Sequence, residues 1–170
     1  MKEILQIPYN VCFCLSEDHV LMLLRSNHPN QGLWNGVGGK LQEGESPIYS
    51  VIREVYEETG ISLAPDQVLS KGIVTWNKQQ FGEEHVRGGM YLYLTTPLPD
   101  THRFQERETR EGRLMWQPTH IATDTSRTDV VSNVPHFLKH ALTNKGQHHY
   151  RLTYVGKKLH RISIEPLEEL

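Results

Sequence analysis

Three glutamates, Glu54, Glu57 and Glu58, crowd the segment "GKLQEGESPIYSVIREVYEETGI", Gly39 to Ile61. At about 100° per residue they share one side of a helix. Glu54 and Glu58 stand four apart, where like charges cost about 0.2–0.5 kcal/mol, and no lysine one turn away relieves them. The plain reading is a solvated acidic face. The alternative is a hard divalent cation, which takes oxygen ligands from successive turns. Gly36, Gly38 and Gly39 lie directly before the helix, and without β-carbons their backbone can approach an ion or a phosphate closely. Together these features point to a magnesium and phosphate site.

The elements that must position this chemistry are legible in outline. Ser46 followed by Pro47 starts a helix, because the hydroxyl can cap and proline lacks an N–H that would be unpaired there anyway. Gly60 stops it. Ile48, Val51, Ile52 and Val55 form the apolar face of this helix, Pro47 to Thr59, with Arg53 beside the carboxylates. Upstream, "IPYNVCFCL" and "VLMLLRS" read as strands joined through "SEDH", followed by a long Gly, Asn and Pro-rich loop with a short strand over 37–41. Downstream, "VLSKGIVTW" and "RGGMYLYLTT" read as strands joined by the polar "NKQQFGEEHV", then a long exposed loop from Thr96 and a short strand "RLMWQP".

"NVPHFLKHAL" reads as a short helix with Asn133 as its cap. "HYRLTYVGKKLHRISIEPL" reads as a hairpin. A three-residue loop, Gly156 to Lys158, pairs Leu152 with Ile162, Tyr150 with Ile164 and Tyr154 with His160, and sets Thr153 opposite Arg161 and Arg151 opposite Ser163. The expected architecture is α/β, with a domain over 1–145 and a C-terminal hairpin, 146–170, packed on it or on a partner.

Composition narrows the function. At 170 residues the chain suits one domain. A net charge of -2 and a pI near 6.5 give no basic field for a polyanion, so no nucleic acid partner is expected. No apolar run approaches membrane length, and no signal peptide is read at the start. Cys12 and Cys14 alternate onto one face of an apolar strand as buried thiols, which suits a reducing cytoplasm. His136 and His140, four apart, have zinc-compatible spacing but no evident third ligand, so they read as surface residues, as do His148 and His149.

The segment also resembles a known family. Gly39, Glu45, Arg53, Glu54, Val55, Glu57, Glu58, Gly60 and Ile61 match every defined position of the Nudix box, G-x5-E-x7-R-E-U-x-E-E-x-G-U. The resemblance implies the Nudix fold, an α/β/α sandwich with a mixed sheet, and hydrolysis of a nucleoside diphosphate derivative with Mg2+, or Mn2+ in its place. It implies Glu54, Glu57 and Glu58 as metal ligands with the Gly38 carbonyl, Arg53 orienting a glutamate, and Glu45 supporting the loop. Glu54 and Glu57 are the catalytic candidates with Arg53, and Glu54 is a candidate base. In MutT-like members a further glutamate precedes a strand carrying tryptophan; Glu106, Glu108 and Glu111 are available here, and Glu111, next to Gly112, is preferred.

The loop "WNGVGGKLQEGES" is similar to that of MutT-related hydrolases of oxidised purine nucleoside triphosphates, which remove pyrophosphate from 8-oxo-dGTP and so sanitise the nucleotide pool. There the asparagine after the tryptophan bonds the purine, which maps onto Asn35; a turn cap beside Gly36 is the competing role. Gly39, Lys40, Arg25 and Trp116 complete the expected substrate-binding set, although Trp116 equally suits the core. After Trp116 the chain lacks the adjacent acidic pair that some members use against the base. Signatures of ADP-ribose, dinucleoside polyphosphate and NADH hydrolases are absent. The expectation is a pyrophosphohydrolase acting on a small nucleotide as a monomer or homodimer. The alternatives are a Nudix hydrolase of a nucleotide sugar or similar compound, and a binding module without catalysis.

Overall fold

Neighbouring residues of one strand face two different cores, which is why this sheet needs a helix on each side. In the computed structural model, which describes residues 7–168, the first strand is β1 (Tyr9–Phe13). Its Val11 and Phe13 enter a core shared with Phe137 and Leu138, whereas Cys12 enters the core that holds Val51 and Val55. The strand β3 (His19–Arg25) repeats the pattern, Val20 and Met22 to one core and Leu21 and Leu23 to the other. A period of two with both faces apolar is the signature of a strand covered twice.

The remaining elements are β2 (Leu15–Ser16), β4 (Trp34–Asn35), α1 (Pro47–Thr59), β5 (Val68–Gln80), β6 (Glu83–Thr95), β7 (Arg107–Thr109), β8 (Gly112–Pro118), α2 (Thr119–Ala122), α3 (Val134–Thr143), β9 (Gln147–Val155) and β10 (Lys158–Leu167). One mixed sheet runs β1-β6-β5-β9-β10, with β1 parallel to β6 and β5 parallel to β9. A second runs β2-β3-β8-β7, and β4 pairs with β3. Helices α1 and α3 supply the two covers, giving the expected α/β fold with a mixed sheet and the helices on opposite sides.

Several local expectations need correction. The first apolar run divides at Cys14, so β2 rather than β1 forms the hairpin with β3. The strand expected at 37–41 is reduced to bridges of Val37 to Cys12 and Lys40 to Tyr9, which use the edge of β1 that β6 leaves open. The polar connector after Trp76 continues both strands almost to Phe81–Gly82, since backbone pairing persists where side chains on both faces are solvated. At the C-terminus four predicted pairs hold, Leu152 with Ile162, Tyr150 with Ile164, Thr153 with Arg161 and Arg151 with Ser163. Tyr154, however, faces Leu159: the turn has two residues, and the extra one, His160, forms a bulge that restores the register. Through β9 this hairpin joins β5 within the main sheet.

Candidate active site

Helix α1 begins as its sequence implies. The Ser46 hydroxyl accepts the Tyr49 N–H at 3.4 Å, and Gly60, at φ +77°, donates to the Tyr56 carbonyl at 2.9 Å. Val51 and Val55 are fully buried, each worth roughly 1.5–3 kcal/mol. That anchorage leaves the carboxylates facing a cavity of about 410 Å³ lined by Glu54, Glu57, Glu58, Thr109, Arg110 and Glu111. A larger hollow of about 610 Å³ lies at the tip of the β5–β6 ribbon, but it is lined only by residues between Gln80 and Arg87 and does not include the helix glutamates.

Arg53 organises the acidic side of the cavity. Its Nε and Nη2 clasp both Glu45 oxygens at 2.7 and 2.9 Å, while Nη1 donates to Glu54 at 3.0 Å and Glu57 at 3.2 Å. Nη2 also reaches the Lys40 carbonyl at 3.4 Å, so Lys40 contributes backbone here. The clasp holds the Glu45 carboxyl down to about 2 and raises Arg53 above its ordinary value. Glu54 is raised by burial, which outweighs the opposing pull of Arg53.

Glu58 is pushed up to about 8, first by burial and then by the charges of Glu54 and Glu111, against the Gly38 N–H that it accepts at 3.0 Å. Arg25, at the end of β3, also draws it down, though least of these groups, and its Nε donates to the Pro29 carbonyl at 2.8 Å. Gly39 packs so closely that a Cβ there would lie 2.6 Å from Glu54 Oε1, so any side chain at this position would displace the Glu54 carboxylate. Glu111 lines the cavity, whereas Glu106 and Glu108 turn to Arg113 at 3.1 and 2.7 Å.

Among the described residues no three such acidic, histidine or cysteine side chains already stand at metal-ligand spacing. The donors nevertheless fit a hard cation: the half-buried carboxylates of Glu54 and Glu58, each raised first by burial and then by neighbouring charge, a backbone loop against them and an open cavity beside them. Glu54, Glu57, Glu58 and Glu111, with the Gly38 carbonyl, are the groups that would hold it.

The substrate-side residues divide. Asn35 Oδ1 accepts the Gly36 N–H at 2.8 Å, the turn-capping role, and no protein bond of its amide nitrogen occurs among the described residues. Trp116 is buried, edge-on to Phe104 at 6.2 Å, in the core beneath α1 rather than on the cavity. Residues that sequence reading missed include Arg110, on the cavity, and Arg107, which donates to the Thr59 carbonyl at 2.8 Å and lies 4.0 Å over the Phe104 ring, tying the Glu111 loop to the end of α1. Nothing in the charge run "QERETREG" separates these arginines from a solvated surface.

Histidines on the other helix also depart from expectation. His136 is exposed, but His140 is half-buried, its Nδ1 bonded to the Tyr150 hydroxyl at 2.8 Å and its ring 4.7 Å from that of His148. His149 Nε2 meets Thr75 Oγ1 at 2.7 Å. The i, i+4 spacing said nothing of β9, which supplies these partners. Asn133 occupies the cap position of α3 without a capping bond and donates instead to the Tyr154 hydroxyl at 2.9 Å.

Comparison with known proteins agrees with this fold. The NUDIX domain family model matches residues 7–139. The chain is 31% identical over 144 residues to the uncharacterised Nudix hydrolase YvcI of Bacillus subtilis, covering 84% of each chain. It is 38% identical over 55 residues to the oxidized purine nucleoside triphosphate hydrolase of Mus musculus, 32% of this chain and 35% of that one. A MutT protein of Bacillus halodurans superposes with a TM-score of 0.72 at 23% identity, covering 94% of this chain and 98% of its own.

Proposed function

The chain belongs to the Nudix family, whose hydrolases act on phosphorus anhydrides in nucleoside diphosphate derivatives, and from that premise we propose a Mg2+-dependent nucleoside triphosphate pyrophosphohydrolase that sanitises oxidised purine nucleotides such as 8-oxo-dGTP. The observation that carries this reading is the cavity where Glu54, Glu57, Glu58 and Glu111 meet beside the Gly38–Gly39 backbone. A divalent cation there, Mg2+ or Mn2+, supplies neutralisation of the diphosphate and Lewis acidity.

The chain's own groups do the rest. Arg53 fixes the Glu54 and Glu57 oxygens while Glu45 fixes Arg53. Burial makes the Glu54 carboxylate a stronger proton acceptor than an exposed one, suited to take the proton of the attacking water at its oxygen. Arg110, on the cavity, and Arg25, whose charge is felt at Glu58, are the cations we assign to the phosphates. The oxidised-purine reading is supported by the "WNGVGGK" loop, by the amide nitrogen of Asn35, which has no protein partner among the described residues, and by the partial match to the mouse enzyme. The buried free thiols of Cys12 and Cys14 support a reducing cytoplasm. No helix among the described residues is long and apolar enough to cross a membrane.

A second reading, hydrolysis of another nucleoside diphosphate derivative such as a nucleotide sugar, is favoured by two engaged groups near the base loop. The Asn35 carbonyl is held by Gly36, and Asp129, whose carbonyl accepts the Trp34 N–H, is clasped by Arg127 at 2.8 Å through both oxygens. Product identification separates the two. With Mg2+, wild type should release pyrophosphate and monophosphate from 8-oxo-dGTP faster than from dGTP, and Glu57→Gln should not. Turnover only of nucleotide sugars would install the second reading, and inactivity on every nucleotide would leave a binding module.

A further inference from the structure

Asn10 is a polar residue inside an apolar strand, 4% exposed, and no motif claims it. An amide buried without partners costs about 1–3 kcal/mol, so its bonds show what the position is for. Nδ2 donates to Ser50 Oγ at 2.7 Å, and Oδ1 accepts the Gly39 N–H at 3.4 Å. Its backbone N–H donates to the Gly39 carbonyl at 2.9 Å, and its own carbonyl lies where a Cβ on Gly38 would come within 2.2 Å. One residue thus touches the glycine loop through three of its polar groups and α1 through the fourth.

The helix position is informative. Ser50, Glu54 and Glu58 follow one another at four-residue steps, so they lie on one ridge of α1. Ser50 is fully buried and sits one turn before Glu54. The Gly38–Gly39 backbone meets that ridge again at its far end, where Gly38 N–H reaches Glu58. An amide suits this bridge because it donates at one end and accepts at the other. It also adds no further negative charge beside the glutamates.

We propose that Asn10 is a positioning residue that fixes the separation between the Gly38–Gly39 backbone and the glutamate ridge of α1, and thereby the binding of a divalent cation between them. This rests on the metal-dependent reading above. Displacement of about 1 Å at such a site is enough to cost roughly 100-fold in rate.

The test compares wild type with Asn10→Leu, which keeps volume and loses both side-chain bonds while leaving Ser50 in place, and with Ser50→Ala, which removes the helix end of the bridge together with the Ser50 hydroxyl's influence on Glu45. Mn2+ binding is read by paramagnetic resonance without nucleotide, alongside kcat, KM and the Mg2+ concentration giving half-maximal rate. Both variants should bind Mn2+ about 10–100-fold more weakly. Their Mg2+ requirement should rise in parallel and kcat should fall, with nucleotide KM changed less than about threefold. If Asn10→Leu does not fold, Ser50→Ala decides. Mn2+ binding equal to wild type in the folded variants, whatever happens to Tm, would overturn the proposal. A wild type that binds Mn2+ but hydrolyses no nucleotide would sink the functional reading alone, because the binding comparison still stands. A wild type that binds no Mn2+ would remove both.

Discussion

Two helices pack titratable side chains against opposite faces of the same sheet, and the two clusters are built differently. Under α1, four carboxylates surround an open cavity, braced by Arg53, a backbone N–H and a glycine loop. Beneath α3, His140 and His148 meet Tyr150 close to Lys71, whose Nζ is spent on the Asn144 carbonyl at 2.7 Å. His140 is lowered first by burial and then by the charges of His148 and Lys71, so the neutral ring is favoured. Burial disfavours charge in both clusters, raising Glu54 and Glu58 and lowering His140, but only the carboxylates border an open cavity where a cation could stabilise their charged form. Crowding of like groups therefore implies chemistry only where the surroundings leave room for an opposite charge.

The largest effects should fall on the α1 side alone. Glu54→Gln and Glu57→Gln should each lower kcat about 100-fold or more, with Tm unchanged or raised because repulsion is relieved. His140→Asn should leave kcat within about twofold while costing roughly 1 kcal/mol of stability for the lost Tyr150 bond. Steady-state kinetics and thermal melts on the same preparations decide this, and a kcat collapse in His140→Asn would erase the distinction. Next in size, Arg53→Met should weaken metal binding about 10–100-fold by releasing Glu54 and Glu57 and stranding Glu45. Mg2+ at about 100 times its Kd should then stabilise wild type by about 2.7 kcal/mol, a shift of several degrees. Glu58→Gln should lose most of that shift.

The smallest effects concern pH, and they fall in separate windows. His140 has a folded value below its unfolded 6.5, so its contribution is whole above pH 6.5 and shrinks as pH drops below it. His149 adds to the same trend. Denaturation at pH 7 and 5.5 should show this loss reduced in His140→Asn. Glu45 has the opposite kind of shift for an acid, from 4.5 to about 2. Its contribution is present above pH 4.5 and lost as pH falls towards 2, and this step should vanish in Arg53→Met.

The α1 side was far more legible in the sequence than the α3 side. Cap, stop, apolar stripe and glutamate spacing all sit within one contiguous segment, where helical geometry alone relates them. The Glu111 contribution comes from the β7–β8 turn and that of Asn10 from β1; a lone asparagine in "IPYNVCFCL" marks an anomaly without naming Ser50 or Gly39 as its partners. Likewise the register of the last hairpin follows from its apolar alternation, while the His160 bulge depends on turn geometry that the alternation does not encode. His140 was misread because its burial depends on β9 pairing in parallel with β5, a long-range choice that no local pattern dictates.

The most direct test of the contrast is calorimetric titration of Mg2+ into wild type, Glu58→Gln and His140→Asn. Binding that is weakened at least about tenfold in Glu58→Gln and unchanged in His140→Asn is the predicted result. Equal binding by wild type and Glu58→Gln, or loss of binding in His140→Asn, would contradict the assignment of the α1 carboxylates as the cation site.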